Sequence, residues 1–119
     1  MNSSAKHPAN QKRQQGRLKV AVDAQYRFHD KKEEWLPCNL IDISVTGMAL
    51  NGKKSFYVGD KIEIRFHLEK RAILIDLEIT HLIGRKAGGK VTRMDDADRI
   101  AIQEVLNREL LTDKVRFNG

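Results

Sequence analysis

Two short polar motifs in the sequence carry the side chains best suited to bind a ligand. Arg13 and Arg17 form an RxxxR pattern, and the stretch 42–47 reads Asp-Ile-Ser-Val-Thr-Gly, a [DN]xSxxG pattern. The planar guanidinium group of arginine donates two parallel hydrogen bonds to the Hoogsteen edge of guanine, and its charge also suits phosphate. Asp42 offers acceptors for guanine N–H groups, and Ser44 offers a hydroxyl for a base or a phosphate. A ligand with guanine and phosphate groups needs this mixture of side chains.

Each motif also has a purely structural interpretation. An RxxxR pattern is expected by chance about once in a chain with this many arginines. Asp42 and Ser44 are residue types that close Asx-type turns, and Gly47 suits chain reversal, a positive backbone dihedral or the close approach of a ligand. Binding is favoured because the two motifs occur in this order, the first immediately before the first predicted strand and the second at the turn between the next two.

The sequence contains no pattern typical of catalysis or of metal binding. The four histidines show no HExxH pairing, no serine or cysteine lies in a nucleophile elbow, and no Gly-rich phosphate loop precedes a helix. The single cysteine, Cys38, cannot form an intramolecular disulfide or a multi-thiolate metal site, which favours a reducing, cytoplasmic setting. We therefore predict a binding module that is not an enzyme and has no metal and no cofactor.

Positive charge is concentrated at the N-terminus. The chain has 22 Lys and Arg against 16 Asp and Glu, a net charge of +6, and its first nineteen residues contain five of the basic residues and no acidic one. This basic arm indicates an anionic partner, although a tail that only keeps the protein soluble has the same composition. No stretch approaches the ~20 apolar residues of a membrane-spanning helix, and residues 1–17 contain no apolar signal segment.

Alternating apolar residues predict the strands that must position these motifs. Six segments show this pattern, the last of them weakly: 18–28, 36–43, 48–50, 62–68, 73–79 and 90–92. After them, three aspartates supply capping and first-turn acids to a segment whose apolar residues have helical spacing: Ala101, Ile102, Val105, Leu106 and Leu110. The sequence predicts a small, mainly β antiparallel barrel or sandwich with one C-terminal helix packed on it.

The arginine motif, the six strands with their serine–glycine turn and the final helix together resemble the PilZ domain, a bacterial receptor module for the second messenger cyclic di-GMP. The resemblance covers about residues 12–111 and implies a six-stranded antiparallel barrel with a helix beside it. Val91 stands where phenylalanine is common in the family, a departure that concerns packing. The residues that the resemblance and the motif chemistry assign to cyclic di-GMP are Lys12, Arg13, Arg17, Asp42, Ser44, Gly47 and His81.

The organisation that follows has three parts. Residues 1–11 are expected to form a flexible arm, residues 12–112 the PilZ-like domain and residues 113–119 a C-terminal tail. The basic arm is expected to change conformation as it closes over the ligand, and so to signal to a separate downstream protein. The resemblance implies control of motility, adhesion or biofilm formation. We also expect a cytoplasmic protein that does not insert into membranes and that is a monomer or a ligand-dependent homodimer.

Several alternatives stay open. A small basic barrel could bind RNA or single-stranded DNA instead, although aromatic residues for base stacking make up only 6 % of the chain. A PilZ-like scaffold that has lost the nucleotide would bind only protein.

Single residues also keep two interpretations. Lys12 either favours two intercalated ligands or is solvated, and His81 either contacts the bound base or is a surface or core histidine. Trp35 is expected to pack against the barrel rather than stack on a ligand.

Overall fold

Six strands precede one long helix. The computed structural model describes residues 16–31, 34–52 and 54–118, with side chains up to residue 109. The elements are β1 Leu18–Phe28, β2 Leu36–Ile43, β3 Gly47–Gly52, β4 Lys61–Leu68, β5 Arg71–Ile83, β6 Lys86–Met94 and α1 Asp96–Asn118.

The strands form a closed antiparallel barrel in the order β1-β2-β3-β6-β5-β4. Four of the pairings join strands that follow each other along the chain, whereas β3–β6 and β1–β4 join strands that are distant in sequence. The pairing of β1 with β4, which runs from Ala24 and Phe66 to Phe28 and Ile62, closes the barrel. The predicted six-stranded barrel is therefore confirmed, and the sandwich alternative is wrong.

Alternate residues of the strands fill the barrel interior, as a period of two requires. In β1, Ala24 and Tyr26 are buried, and Val20, Val22 and Phe28 are partly buried against the core. The largest fully buried side chains of the other strands are Leu40, Ile43, Met48, Leu50, Ile62, Ile64, Ile73, Ile75, Leu77 and Ile79. Burial of one such side chain stabilises the fold by ~1.5–3 kcal/mol, so the core contributes far more than any exposed ion pair.

Two irregularities of strand register place polar side chains on the outside of the barrel. One lies between Leu40 and Asp42 of β2, and the other between Ile79 and His81 of β5. Without them, residues two apart would share a face, so Asp42 would point inward with buried Leu40, and His81 with buried Ile79. A bulge adds one residue and turns the next side chain to the other face. These bulges position two of the predicted ligand residues.

The C-terminal helix packs on the barrel as predicted. Its buried side chains Ile102, Val105 and Leu106 join the hydrophobic core. Arg71 Nε donates to the carboxylate of buried Asp98 at 2.8 Å, which ties the first turn of α1 to the start of β5. The helical backbone continues through residues 113–118, which were assigned to a tail, and the domain boundary at residue 112 stays a prediction. No helix of the described residues is both long and apolar enough to cross a membrane.

The last strand is longer than the sequence pattern indicates. β6 includes Gly88 and Gly89, which the pattern treats as a connection leading to the strand at 90–92. These glycines pair with Ala49 and Met48 of β3. Glycine is depleted in strands and adds no apolar side chain to the alternation, so this part of β6 has no signal of its own.

Cys38 of β2 is a free, buried cysteine, and its reactivity provides a test of the barrel core. Burial raises the pKa of its thiol from 9.0 to about 12. Because the thiolate is the reacting species, the native protein at pH 8 should react with a disulfide reagent on the order of 1,000-fold more slowly than the urea-unfolded chain. The release of the coloured thiolate from the reagent measures both rates. Equal rates would contradict the burial of Cys38.

Candidate functional site

The side chain of Ser44 closes the polar turn between β2 and β3. Its hydroxyl accepts hydrogen bonds from the backbone N–H groups of Thr46 and Gly47, at 3.2 and 3.0 Å, and donates to the carbonyl oxygen of Gly47 at 2.9 Å. These bonds use the donor and both acceptor positions of the hydroxyl, and Ser44 is only 1 % exposed. Ser44 thus holds the shape of the turn, and a direct contact from Ser44 to a ligand stays a prediction.

An exposed ion pair joins the two sequence motifs. Arg17 Nη1 donates to Asp42 Oδ1 at 2.8 Å, and the two side chains are 49 % and 20 % exposed. An ion pair this accessible stabilises a fold by only ~0–1 kcal/mol. A ligand that offers both groups better partners can therefore displace it. The pair keeps the guanidinium group of Arg17 over the turn and still accessible from solvent.

Gly47 lies beneath Arg17 at a point of close approach. A Cβ atom at Gly47 would be 2.8 Å from the carbonyl oxygen of Gly89 in β6 and 3.3 Å from Nη2 of Arg17. Among the glycines that the structure describes, positive φ angles occur at Gly59 and Gly84, not here. The structure therefore explains glycine at position 47 by close approach and not by a positive φ angle. The atoms that come close belong to Gly89 and Arg17 of the protein itself.

His81 lies across the outer side of β6. It pairs in register with Gly88, and a Cβ atom at Gly88 would overlap ring atoms Cε1 and Nε2 of His81. The imidazole ring therefore rests directly on the Cα atom of Gly88. The hydroxyl of Thr80 is 3.1 Å from Nδ1 of the ring. His81 is exposed, as the surface alternative predicts, and its contact with a ligand stays a prediction.

Asp42 and His81 lie at the two ends of one row of residues on the outer face of the barrel. The register aligns Asp42 with Ala49, Ala49 with Gly88, and Gly88 with His81. With strands about 4.8 Å apart, the row spans about 14 Å. Ala49 and Gly88 form a floor of small residues between the polar ends. Both are buried and the His81 ring covers Gly88, so a planar ligand ring reaches this backbone only when His81 moves aside. Sequence reasoning missed these two residues, whose only signal is their small size at outward strand positions.

Basic side chains outnumber acidic ones around this outer row. Lys19 pairs in register with Asp42, and Lys90 pairs with Glu78, while both lysine side chains are exposed. Together with Arg17 they give three positive charges against two carboxylates. The local potential therefore favours an anionic ligand, while the carboxylate of Asp42 still provides acceptors for N–H donors.

Other predicted residues lie elsewhere. Lys12 and Arg13 lie outside the described residues, as does the rest of the basic arm before residue 16. The ring of Trp35 stacks on two guanidinium groups, with the Cζ atoms of Arg27 and Arg65 at 4.3 and 3.9 Å from its centroid. It therefore packs on the surface of β1 and β4, as predicted, and not on the outer row between Asp42 and His81.

A comparison with known protein families shows to which family this barrel belongs. The PilZ domain family matches residues 11–108, which include both sequence motifs and all six strands. The chain belongs to the PilZ domain family. The resemblance inferred from the motifs is thereby confirmed. No curated protein matches the sequence.

Solved structures share this PilZ fold at low sequence identity. The Bacillus subtilis inhibitor of motility MotI/DgrA has a TM-score of 0.70 and 18 % identity, covering 81 % of this chain and 50 % of that one, so this chain spans half its length. The PilZ domain of CeSA from a cellulose-synthesizing bacterium has a TM-score of 0.60 and 12 % identity, covering 76 % and 94 %. The PilZ domain of Escherichia coli YcgR, solved with c-di-GMP, has a TM-score of 0.63 and 11 % identity, covering 87 % and 95 %.

Proposed function

We propose that this PilZ domain is a non-enzymatic receptor for cyclic di-GMP. The observation that carries the proposal is the group formed by Arg17, Asp42 and Gly47 beside the outer row, in a chain of the PilZ family. The PilZ domain of YcgR, whose structure contains c-di-GMP, supports the same ligand.

Arg17 and Asp42 can each give up their ion pair and bind a group of the ligand instead. A guanidinium group donates to the Hoogsteen edge of guanine or to a phosphate, and a carboxylate accepts from the N–H groups of the Watson–Crick edge. Separating the exposed pair costs about 0–1 kcal/mol, whereas a hydrogen bond to a charged group contributes about 1.5–3 kcal/mol. The exchange therefore favours the bound state.

The basic arm is proposed to complete the site. Lys12 and Arg13 precede Arg17 closely, so binding by Arg17 brings them near the same phosphates and bases. Ser44 contributes by holding the turn, and His81 offers a ring at the far end of the row. Closure of the arm over the ligand changes the surface of the protein, which a downstream partner can then recognise.

The proposed output is control of a separate protein. MotI/DgrA, described as an inhibitor of motility, supports motility as the first process to test, and adhesion and biofilm formation follow from the same family resemblance. A pull-down with this chain in the presence and absence of cyclic di-GMP would identify ligand-dependent partners. The proposal expects at least one partner whose recovery depends on the ligand.

Replacement of Asp42 by alanine separates the proposed receptor from a nucleic-acid-binding barrel. If Asp42 accepts from guanine, Asp42→Ala should weaken cyclic di-GMP binding and shrink the preference for it over cyclic di-AMP. If the protein grips only phosphates, deletion of an acidic group should tighten the binding of every ligand, including a short single strand. Titration of the wild-type and Asp42→Ala proteins with cyclic di-GMP, cyclic di-AMP and the short single strand measures these affinities. Circular dichroism checks that the variant is folded. Tighter binding throughout would contradict the receptor proposal.

Calorimetric titration of the wild-type chain tests the proposed function itself. We expect saturable binding of cyclic di-GMP with weaker binding of cyclic di-AMP and of an oligonucleotide. The stoichiometry distinguishes one ligand per protomer from the intercalated pair that Lys12 could favour. Absence of heat with cyclic di-GMP would indicate a scaffold that binds only protein, and tighter binding of the oligonucleotide would indicate a nucleic-acid-binding barrel.

A further inference from the structure

A row of four charged residues crosses the outside of the barrel on β1, β4, β5 and β6. The register pairs Arg27 with Glu63, Glu63 with Asp76, and Asp76 with Arg93. The two carboxylates are therefore direct cross-strand neighbours in the middle of the row. Like charges in this position destabilise a sheet unless a cation lies between or beside them.

An imidazole ring lies over the two carboxylates. The backbone N–H of His29 donates to the carbonyl oxygen of Lys61 at 3.0 Å, which fixes His29 at the end of β1 beside β4. Its Nε2 atom is 3.6 Å from Oδ1 of Asp76, and one ligand atom each of His29, Glu63 and Asp76 lie within 4.8 Å of one another. Three groups that bind metal ions thus converge on one point.

Two atoms of this cluster are buried without a hydrogen-bond partner. They are Nε2 of His29 and Oδ1 of Asp76, which face each other. Their separation exceeds the ~2.7–3.2 Å of an N–H···O hydrogen bond, so a protonated imidazole at this position does not satisfy the carboxylate. Buried polar atoms left unpaired are costly, and a bound ion removes that cost for both.

The flanking arginines orient the carboxylates and leave the facing oxygen of Asp76 available. Arg93 Nε donates to Oδ2 of Asp76 at 3.0 Å, and Arg27 Nε donates to Oε1 of Glu63 at 2.6 Å. Such outer hydrogen bonds are typical of carboxylates that bind metal ions. The side chain of His29 is 37 % exposed, so the ring lies at the surface of the protein although its Nε2 atom is buried.

We propose that His29, Glu63 and Asp76 form a binding site for a divalent transition-metal ion of the zinc type. An imidazole nitrogen with two carboxylate oxygens suits zinc. Bonds of about 2.1 Å at a tetrahedral ion separate neighbouring ligand atoms by about 3.4 Å, close to the separation of the two unpaired atoms. Three protein ligands leave one position for water or for a partner. The positive charges of Arg27 and Arg93 repel a dication, so we expect a lower zinc affinity than that of a site with cysteine ligands.

The three residues escaped sequence analysis because they come from three distant segments, namely the turn after β1, β4 and β5. His29, Glu63 and Asp76 share no local spacing, and only the barrel register brings them together. The proposal does not depend on cyclic di-GMP, because none of these residues belongs to the Arg17–Asp42 group. Its test therefore uses the whole 119-residue chain without a tag and without the nucleotide.

Zinc titration of matched variants tests the site. After removal of metal with a chelator, we expect the wild-type chain to bind one zinc ion by calorimetry at pH 7.5 and to melt at a higher temperature with zinc. His29→Gln and Asp76→Asn should each weaken binding at least tenfold. His67→Gln, which removes an exposed histidine elsewhere on β4, should bind like wild type.

Three results would overturn the proposal. They are no zinc binding by the wild-type chain, zinc binding by both His29→Gln and Asp76→Asn that equals wild type, or an equal loss in His67→Gln. Circular dichroism of each metal-free variant ensures that lost binding does not reflect lost folding.

Discussion

Arg17→Ala is expected to weaken cyclic di-GMP binding by about 10- to 150-fold, because a hydrogen bond from a charged group contributes about 1.5–3 kcal/mol. The free energy of unfolding should change little, since the side chain is half exposed and its ion pair with Asp42 stabilises the fold only weakly. Calorimetric titration measures the first effect and urea unfolding the second.

Two controls separate a specific contact of Arg17 from general attraction between charges. Arg99→Ala removes the same charge from α1, where the side chain pairs with Asp96 on the exposed surface, and Lys6→Ala removes a charge from the basic arm. Both should bind cyclic di-GMP nearly as well as wild type. Equal, small losses in all three variants would mean that net positive charge, rather than a site at Arg17, accounts for binding.

Gly47→Ala is expected to lower both stability and ligand binding. The new Cβ would be 2.8 Å from the carbonyl oxygen of Gly89, a backbone atom that cannot move without disturbing the β3–β6 pairing, and it would also press on Arg17. Overpacking of this kind costs about 1–3 kcal/mol, or about 4–8 °C in melting temperature for each kcal/mol. Thermal unfolding and calorimetry measure the two effects.

Gly88→Ala is the matched control for Gly47→Ala. The new methyl group would meet the exposed ring of His81, which can swing away, rather than a backbone oxygen. Gly88→Ala should therefore be nearly as stable as wild type. A Gly47→Ala protein with wild-type stability would show that β3 and β6 are not held in the close contact described.

The architecture could be predicted from the sequence because each strand buries one face. The alternation from Leu18 to Phe28, for example, predicts β1 with the bounds that the structure has. The pairing of β1 with β4 could not be predicted, since it joins distant segments. The bulges before Asp42 and His81 could not be located either, because a phase shift of one residue near the end of a strand cannot be told from the end of the strand in a single sequence.

The candidate site could be predicted only in part. The joint occurrence of the two motifs and the family resemblance assigned Arg17 and the 42–47 turn to one ligand, and the structure joins Arg17 and Asp42 in an ion pair. The use of the Ser44 hydroxyl within its own turn depends on three short distances that no spacing encodes. The floor at Ala49 and Gly88 depends on cross-strand register, which a single sequence does not specify.

Amide chemical shifts during a cyclic di-GMP titration test the proposed location of binding most directly. The account predicts saturable shifts in the amides of residues 42–49 and 81–90, which form the turn and the outer row, and in Arg17. Amides of residues 62–66 in β4, on another side of the barrel, should stay unchanged. Shifts confined to β4 and the surroundings of Trp35, or no shifts at saturating ligand, would contradict binding at the Arg17–Asp42 group.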